Sequence, residues 1–147
     1  MRPYISDIGV FLPERVVSSV ELERRVNRKR RLIPEGSLER LFGVRERRFA
    51  DAHVQVSDLC SQAARDIVDK HGANQIDCLI FASASSDLIE PATANIVHAK
   101  LGLQCPAFDV KNACNSFVTA LQVASSFIYS GCYQKILIVS PIQAQKF

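Results

Sequence analysis

Three short apolar runs, Cys78 to Ala82, Ala107 to Val110 and Ile136 to Ser140, are separated from one another by segments long enough to form helices. Each run is too short for a helix and is bounded by polar or turn-forming residues, the pattern of a strand buried on both faces. The segments between them read as helices. Thr93 to Leu101 is closed by Gly102, and the small, apolar stretch from Ala113 to Ser130 is closed by Gly131. Strand, helix, strand, helix, strand is the order of a mostly parallel sheet covered by helices, which places the chain in the α/β class.

Upstream the signals are more local. Tyr4 to Leu12 alternates loosely before Pro13 and predicts a strand followed by a turn. Ser18 and Glu21 have capping-box spacing, with Val17 and Leu22 at the staple positions, so a helix opens there. It fades within the basic run from Arg24 to Arg31. Pro34 and Gly36 then break the chain, and Leu38 to Phe42 makes one further helical turn before Gly43. Val44 to Arg48 is dense in charge. Ser57 is expected to cap a stronger helix with Leu59, Ala63 and Ile67 along one face, beside Cys60, Ala64 and Val68, and Gly72 at its end. A length of 147 residues suits one domain, and no internal repeat is visible. The chain stops soon after its third apolar run with no closing helix, so residues 1–147 read as an incomplete fold.

Composition removes several function classes. At 48% apolar and 22% charged, the chain is suited to folding and not to disorder. No apolar stretch approaches the ~20 residues of a membrane span. Met1 to Asp7 lacks a secretory pattern. A cytoplasmic protein that does not engage a membrane is the expectation. The net charge of +3 is mild. Its basic run suits a solvated helix end, or failing that an acidic partner such as a carrier protein. No aromatic interleaving, zinc spacing or recognition-helix pattern supports nucleic acid. Five cysteines with no C-x-x-C speak against disulfides and against a bound metal.

One cysteine has a distinct setting. Cys114 falls between the strand ending at Val110 and the start of the long helix. A sulfur in the first turn of a helix meets unpaired N–H groups and the positive end of the dipole, both of which favour the thiolate. Ligands of open α/β sheets also bind at the carboxyl ends of strands. Covalent catalysis and simple packing are both compatible with this position. Redox-pair, phosphatase-loop and nucleotide-loop chemistries are not: C-x-x-C, an arginine at position 120 and a glycine-rich phosphate loop are all missing. His53, His71 and His98 read as loop, helix-end and mid-helix residues and offer no evident base.

The ordered set of segments resembles ketoacyl-acyl-carrier-protein synthase III and its relatives in the thiolase superfamily. It runs from Ile8-Gly9 to Leu12-Pro13, then Gly43-Val44-Arg45-Glu46-Arg47-Arg48, Glu90-Pro91-Ala92-Thr93-Ala94 and Ala99-Lys100-Leu101-Gly102. Ala107-Phe108-Asp109-Val110, Asn112-Ala113-Cys114-Asn115-Ser116-Phe117, Ser130-Gly131 and the Ile136 to Ser140 strand complete it. The resemblance implies a thiolase-like α/β fold, here its amino-terminal half, acting as a homodimer. It also implies that Cys114 accepts an acyl group from a CoA or carrier-protein thioester, which a second thioester then attacks as a carbon nucleophile. Asn112, Asn115 and Phe117 would neighbour the nucleophile, the Cys114 N–H would help hold the oxyanion, and no cofactor would be needed.

Three departures accompany the resemblance. The family's catalytic histidine and asparagine belong to a second, homologous half that these residues do not include. Many members carry a tryptophan that stacks on the CoA adenine, where this chain has Ser37 and Leu38 and no tryptophan at all. Glu90 stands where fatty-acid initiating members carry phenylalanine. Relatives that join two acyl chains without decarboxylation place a glutamate there as a base, a role Glu90 could take in an apolar pocket. A non-catalytic partner subunit that keeps the fold is the reading from a different class.

Overall fold

In the computed structural model of the protein, residues 2–28 and 33–141 are described. The chain divides into two compact units. Of the described residues, those within 12–53 form one, and 2–11 together with 54–141 form the other.

The smaller unit contains β1 (Arg15–Ser18), α1 (Ser19–Asn27), α2 (Ser37–Phe42) and β2 (Glu46–Phe49). β1 and β2 pair antiparallel, with Arg15 opposite Phe49 and Ser18 opposite Glu46. The expected strand therefore lies after Pro13, and residues 4–12 form no strand. Alternation alone does not make a strand, because the backbone needs a ladder partner. Val16 and Val17 find one in the charged segment ending at Phe49; residues 4–12 have none among the described residues. Ser18 does cap α1, its Oγ accepting from the Glu21 N–H at 3.1 Å. Glu21 does not close the box in return but pairs with Arg25 one turn on. Val17 and Leu22 are buried with Phe49, as the staple requires. Arg24 pairs with Glu35, so part of the basic run is neutralised on the surface; residues 29–31 of that run lie outside the described residues. The buried Glu23 carboxylate accepts from the N–H groups of Gly36 (2.7 Å) and Leu38 (2.6 Å), which fixes the start of α2.

The larger unit contains α3 (Val56–His71), β3 (Cys78–Ala82), α4 (Thr93–Leu101), β4 (Ala107–Val110), α5 (Ser116–Tyr129) and β5 (Ile136–Val139). The three strands coincide with the apolar runs, apart from Ser140, and all are parallel in the order β4-β3-β5. β3 is central and wholly buried. Its alternate residues face opposite ways. Leu79 and Phe81 join Leu137 and Val139 under α3 and α4, while Cys78, Ile80 and Ala82 pack against Ala120 and Ala124 of α5. A continuous apolar run was thus the right signature for a strand covered on both sides.

Two helix starts differ from expectation. α3 begins at Val56 with Gln55 as its cap, and the Asp58 carboxylate accepts from the Gln55 N–H at 2.8 Å. Ser57 lies inside the first turn and is fully buried; its N–H donates to Asp87 and its Oγ accepts from Lys100 Nζ. A buried first-turn N–H needs an acceptor, and a residue remote in sequence supplies it. α5 begins three residues later than Ala113, for the reason that sets up the site.

Candidate active site at the carboxyl ends of the strands

The connection from β3 enters α4 on one face of the sheet, and the connection from β4 enters α5 on the other. Adjacent strands whose connections part to opposite faces leave a crevice at their carboxyl ends, where ligands of open α/β sheets bind. Two segments lie at that end: residues 83–92 after β3 and residues 111–115 after β4.

The second segment is the turn that carries Cys114. Ala113 has a φ of 47°, left-handed and uncommon for a residue with a Cβ. The Asn115 N–H donates to the Asn112 carbonyl at 2.9 Å and closes the turn. Helical geometry starts only at Ser116, so Cys114 sits on the turn, one residue before the Asn115 cap, and not within the first helical turn. Cys114, Asn112, Asn115 and Phe117 are exposed. Asn112 Nδ2 donates to Thr119 Oγ1 at 2.9 Å, so this asparagine braces the turn instead of projecting into open space.

Cys114 and Cys132 are the exposed cysteines. Burial pushes the Cys60 thiol up to about 12, with the Asp87 carboxylate adding to the effect. Burial likewise raises Cys78 to about 11, and it also raises Cys105. These three are packing residues.

Glu90 lies in the first segment, preceding Pro91 through a cis peptide. Its side chain is exposed and makes no hydrogen bond or ion pair among the described residues; the flanking Ile89 is 94% exposed. The structure thus places Glu90 and Cys114 at the same end of the sheet, with no hydrogen bond among the described residues between the Glu90 carboxylate and residues 111–115. Lys111 Nζ donates to Ser86 Oγ (3.3 Å) between the two segments, and β4 itself adds two ties beside them: the Val110 carbonyl accepts from the Ser83 N–H (3.3 Å), and Asp109 reaches the start of α4. Asp109 on β4 accepts from the N–H groups of Thr93 (3.1 Å) and Ala94 (2.7 Å). That carboxylate caps α4 from a neighbouring strand, at the favourable end of the dipole. Asp109 and Ser116 were not singled out from the sequence. Ser116 carried only a weak signal, a serine at a helix start, and Asp109 carried none, because its partners are 15 and 16 residues away.

The histidines are elsewhere. His71 ends α3 and its Nε2 lies 3.1 Å from Asp7 Oδ2, while His53 and His98 make no side-chain hydrogen bond among the described residues. Within those residues no group of three or more His, Cys, Asp or Glu is arranged to hold a metal. No helix there is long and apolar enough to cross a membrane.

Comparison with known proteins gives a consistent result. Residues 108–147 match the family model described as 3-Oxoacyl-[acyl-carrier-protein (ACP)] synthase III. A beta-ketoacyl-[acyl-carrier-protein] synthase III of Syntrophomonas wolfei is 36% identical over 150 aligned positions, covering 100% of this chain and 44% of that protein. The enzyme of the same name from Porphyromonas gingivalis is 39% identical over 140 positions, covering 92% and 40%. The chain thus spans less than half the length of these relatives. Among solved structures, a variant of Xanthomonas campestris OleA superposes with a TM-score of 0.84 at 31% identity, over 94% of this chain and 44% of that one. A beta-ketoacyl synthase III from Thermus thermophilus gives 0.76 at 29% identity, over 90% and 40%. Another OleA variant, a cysteine-to-serine form with a TM-score of 0.83, was crystallised with lauric acid and lauroyl-CoA. The thiolase-like α/β class expected from the resemblance is the class observed.

Proposed function

We propose that this chain, homologous over its whole length to an amino-terminal portion of the ketoacyl-acyl-carrier-protein synthase III family, supplies the acyl-accepting cysteine of a Claisen-condensing acyltransferase. The observation that carries the reading is Cys114, exposed on a tight turn at the strand ends and two residues before the start of α5. In the first step its thiolate attacks the carbonyl carbon of an acyl-CoA or acyl-carrier-protein thioester. A new C–S bond forms as the donor's C–S bond breaks, the donor leaves as a thiolate, and the acyl group remains on Cys114. Backbone N–H groups at the turn, that of Cys114 among them, hold the developing oxyanion. In the second step loss of carbon dioxide from a malonyl thioester leaves a carbanion alpha to its carbonyl, which attacks the acyl carbonyl, forming the C–C bond and expelling Cys114 as thiolate. The bound lauroyl-CoA of the OleA variant supports acyl-CoA as the ligand class. The reading includes a homodimer in the cytoplasm, with no cofactor. The histidine and asparagine of the second step are supplied by a carboxy-terminal half.

The test is acyl transfer to the chain, followed by intact mass and peptide mapping. Incubation with lauroyl-CoA is expected to add one acyl group at Cys114 and none to a Cys114→Ser variant. A folded wild-type protein that stays unmodified would move the non-catalytic partner-subunit reading ahead.

The position of Glu90, on the loop at the same end of the sheet, favours a second version in which it removes a proton and no carbon dioxide is lost. In a full-length enzyme, Glu90→Gln should abolish condensation of two plain acyl-CoAs and spare condensation with a malonyl donor. Loss of both, or of neither, removes Glu90 as the base.

A further inference from the structure

A left-handed residue other than glycine persists only where its surroundings over-determine it. Ala113 is such a residue, at a φ of 47°, and it directly precedes the nucleophile. Two hydroxyls surround it. Ser116 is 2% exposed; its Oγ accepts from the Asn112 N–H at 2.9 Å and donates to the Ala113 carbonyl at 2.8 Å. The single hydroxyl thus spans both sides of the strained residue. Thr119, one turn along α5, accepts from Asn112 Nδ2 at 2.9 Å and donates to the Asn115 carbonyl at 3.0 Å. Every residue from Asn112 to Asn115 except Cys114 is held by one of these hydroxyls, and Cys114 is left exposed between them.

We propose that Ser116 and Thr119 are positioning residues for Cys114, a two-hydroxyl brace that holds the left-handed turn and so keeps the sulfur beside the helix start. Its meaning for catalysis rests on Cys114 being the acyl acceptor; its effect on the reactivity of the thiol does not. Without the brace the turn relaxes toward ordinary backbone geometry, and Cys114 loses its fixed relation to the N–H groups of α5.

The exposed Cys132 provides an internal reference in the same chain. The measurement is the rate of iodoacetamide alkylation at Cys114 divided by that at Cys132, followed by peptide mass spectrometry across neutral and mildly alkaline pH. Ser116→Ala and Thr119→Val are each expected to lower this ratio by roughly five- to tenfold, the loss of one or two hydrogen bonds. Ala113→Gly placed in the Ser116→Ala background should recover most of it, since glycine adopts a positive φ without steric penalty. A purely structural serine would not be rescued in that way. Labelling of the buried Cys60 or Cys78 reports an opened core; if Ser116→Ala shows it, Thr119→Val decides alone. A ratio that is unchanged or raised in the folded variants overturns the inference. Failure of wild-type Cys114 to take an acyl group from lauroyl-CoA would instead defeat the proposed function and leave the alkylation result standing.

Discussion

Replacing Asp109 by alanine removes the acceptor of two N–H groups at the start of α4, those of Thr93 and Ala94 at 3.1 and 2.7 Å. Both of those residues are 0% exposed, so water cannot take the carboxylate's place without opening the packing. A hydrogen bond to a charged group contributes about 1.5–3 kcal/mol, and the two act as a unit, so the loss should be about 3 kcal/mol. Asp109→Asn keeps one carbonyl acceptor and should lose about half as much. Asp77 makes the comparison decisive. Its carboxylate also accepts two N–H groups, from Gln134 and Lys135, both at 2.8 Å, but those donors are on exposed residues. Water can replace it there, and Asp77→Ala should lose about 1 kcal/mol or less. The assay is urea unfolding followed by far-UV circular dichroism, with the midpoint and slope compared among variants. Because the chain has two compact units, a single transition must first be verified. Equal losses for Asp77→Ala and Asp109→Ala would refute the premise that burial of the donors sets the magnitude.

Under native conditions iodoacetamide should modify Cys114 and Cys132, and leave Cys60 and Cys78, whose thiols burial holds near 12 and 11, unreactive; peptide mass mapping reads this directly. Asp7 is held down to about 2 from 3.8, chiefly by its contacts with Lys70 and His71 and by the Ile8 N–H. A depressed folded value means that its stabilising contribution is present above pH ~4 and lost as pH falls through about 2. Asp7→Asn should therefore flatten that part of the acid-unfolding curve, and an unaltered curve would count against the pairing. Gly9→Ala should destabilise the larger unit by about 1–3 kcal/mol in a thermal or urea melt, because the added Cβ would stand 2.2 Å from the Ala63 carbonyl oxygen on α3. A neutral substitution would mean that the segment before Phe11 shifts freely.

The parallel sheet was legible because its strands are covered on both faces. Burial on both sides writes a continuous apolar run into the sequence at 78–82, 107–110 and 136–139, and that signal is local. The β1 and β2 pair was not legible. Val44 to Arg48 reads only as a dense run of charge, and its partner strand, set apart by the 27 positions between Ser18 and Glu46, is what makes Glu46 to Phe49 a strand. Apolar alternation at residues 4–12 erred in the opposite direction, with the pattern present and no ladder partner among the described residues.

The sequence by itself placed Cys114 at the junction of a strand and a helix, next to Asn112, Asn115 and Phe117, since adjacency along the chain is enough for that. It also set Cys60 beside a helix face with Ala64 and Val68, and Cys78 at the start of a buried apolar run. Tertiary structure alone decided that α5 starts at Ser116 and that the cysteine stands on a left-handed turn. It alone decided that Asp109 reaches α4 from β4, and that Asp87 holds the start of α3. Composition and periodicity record how much surface a residue buries. Hydrogen-bond partners between elements depend on where distant segments meet, and that is fixed only when the sheet and its helices pack.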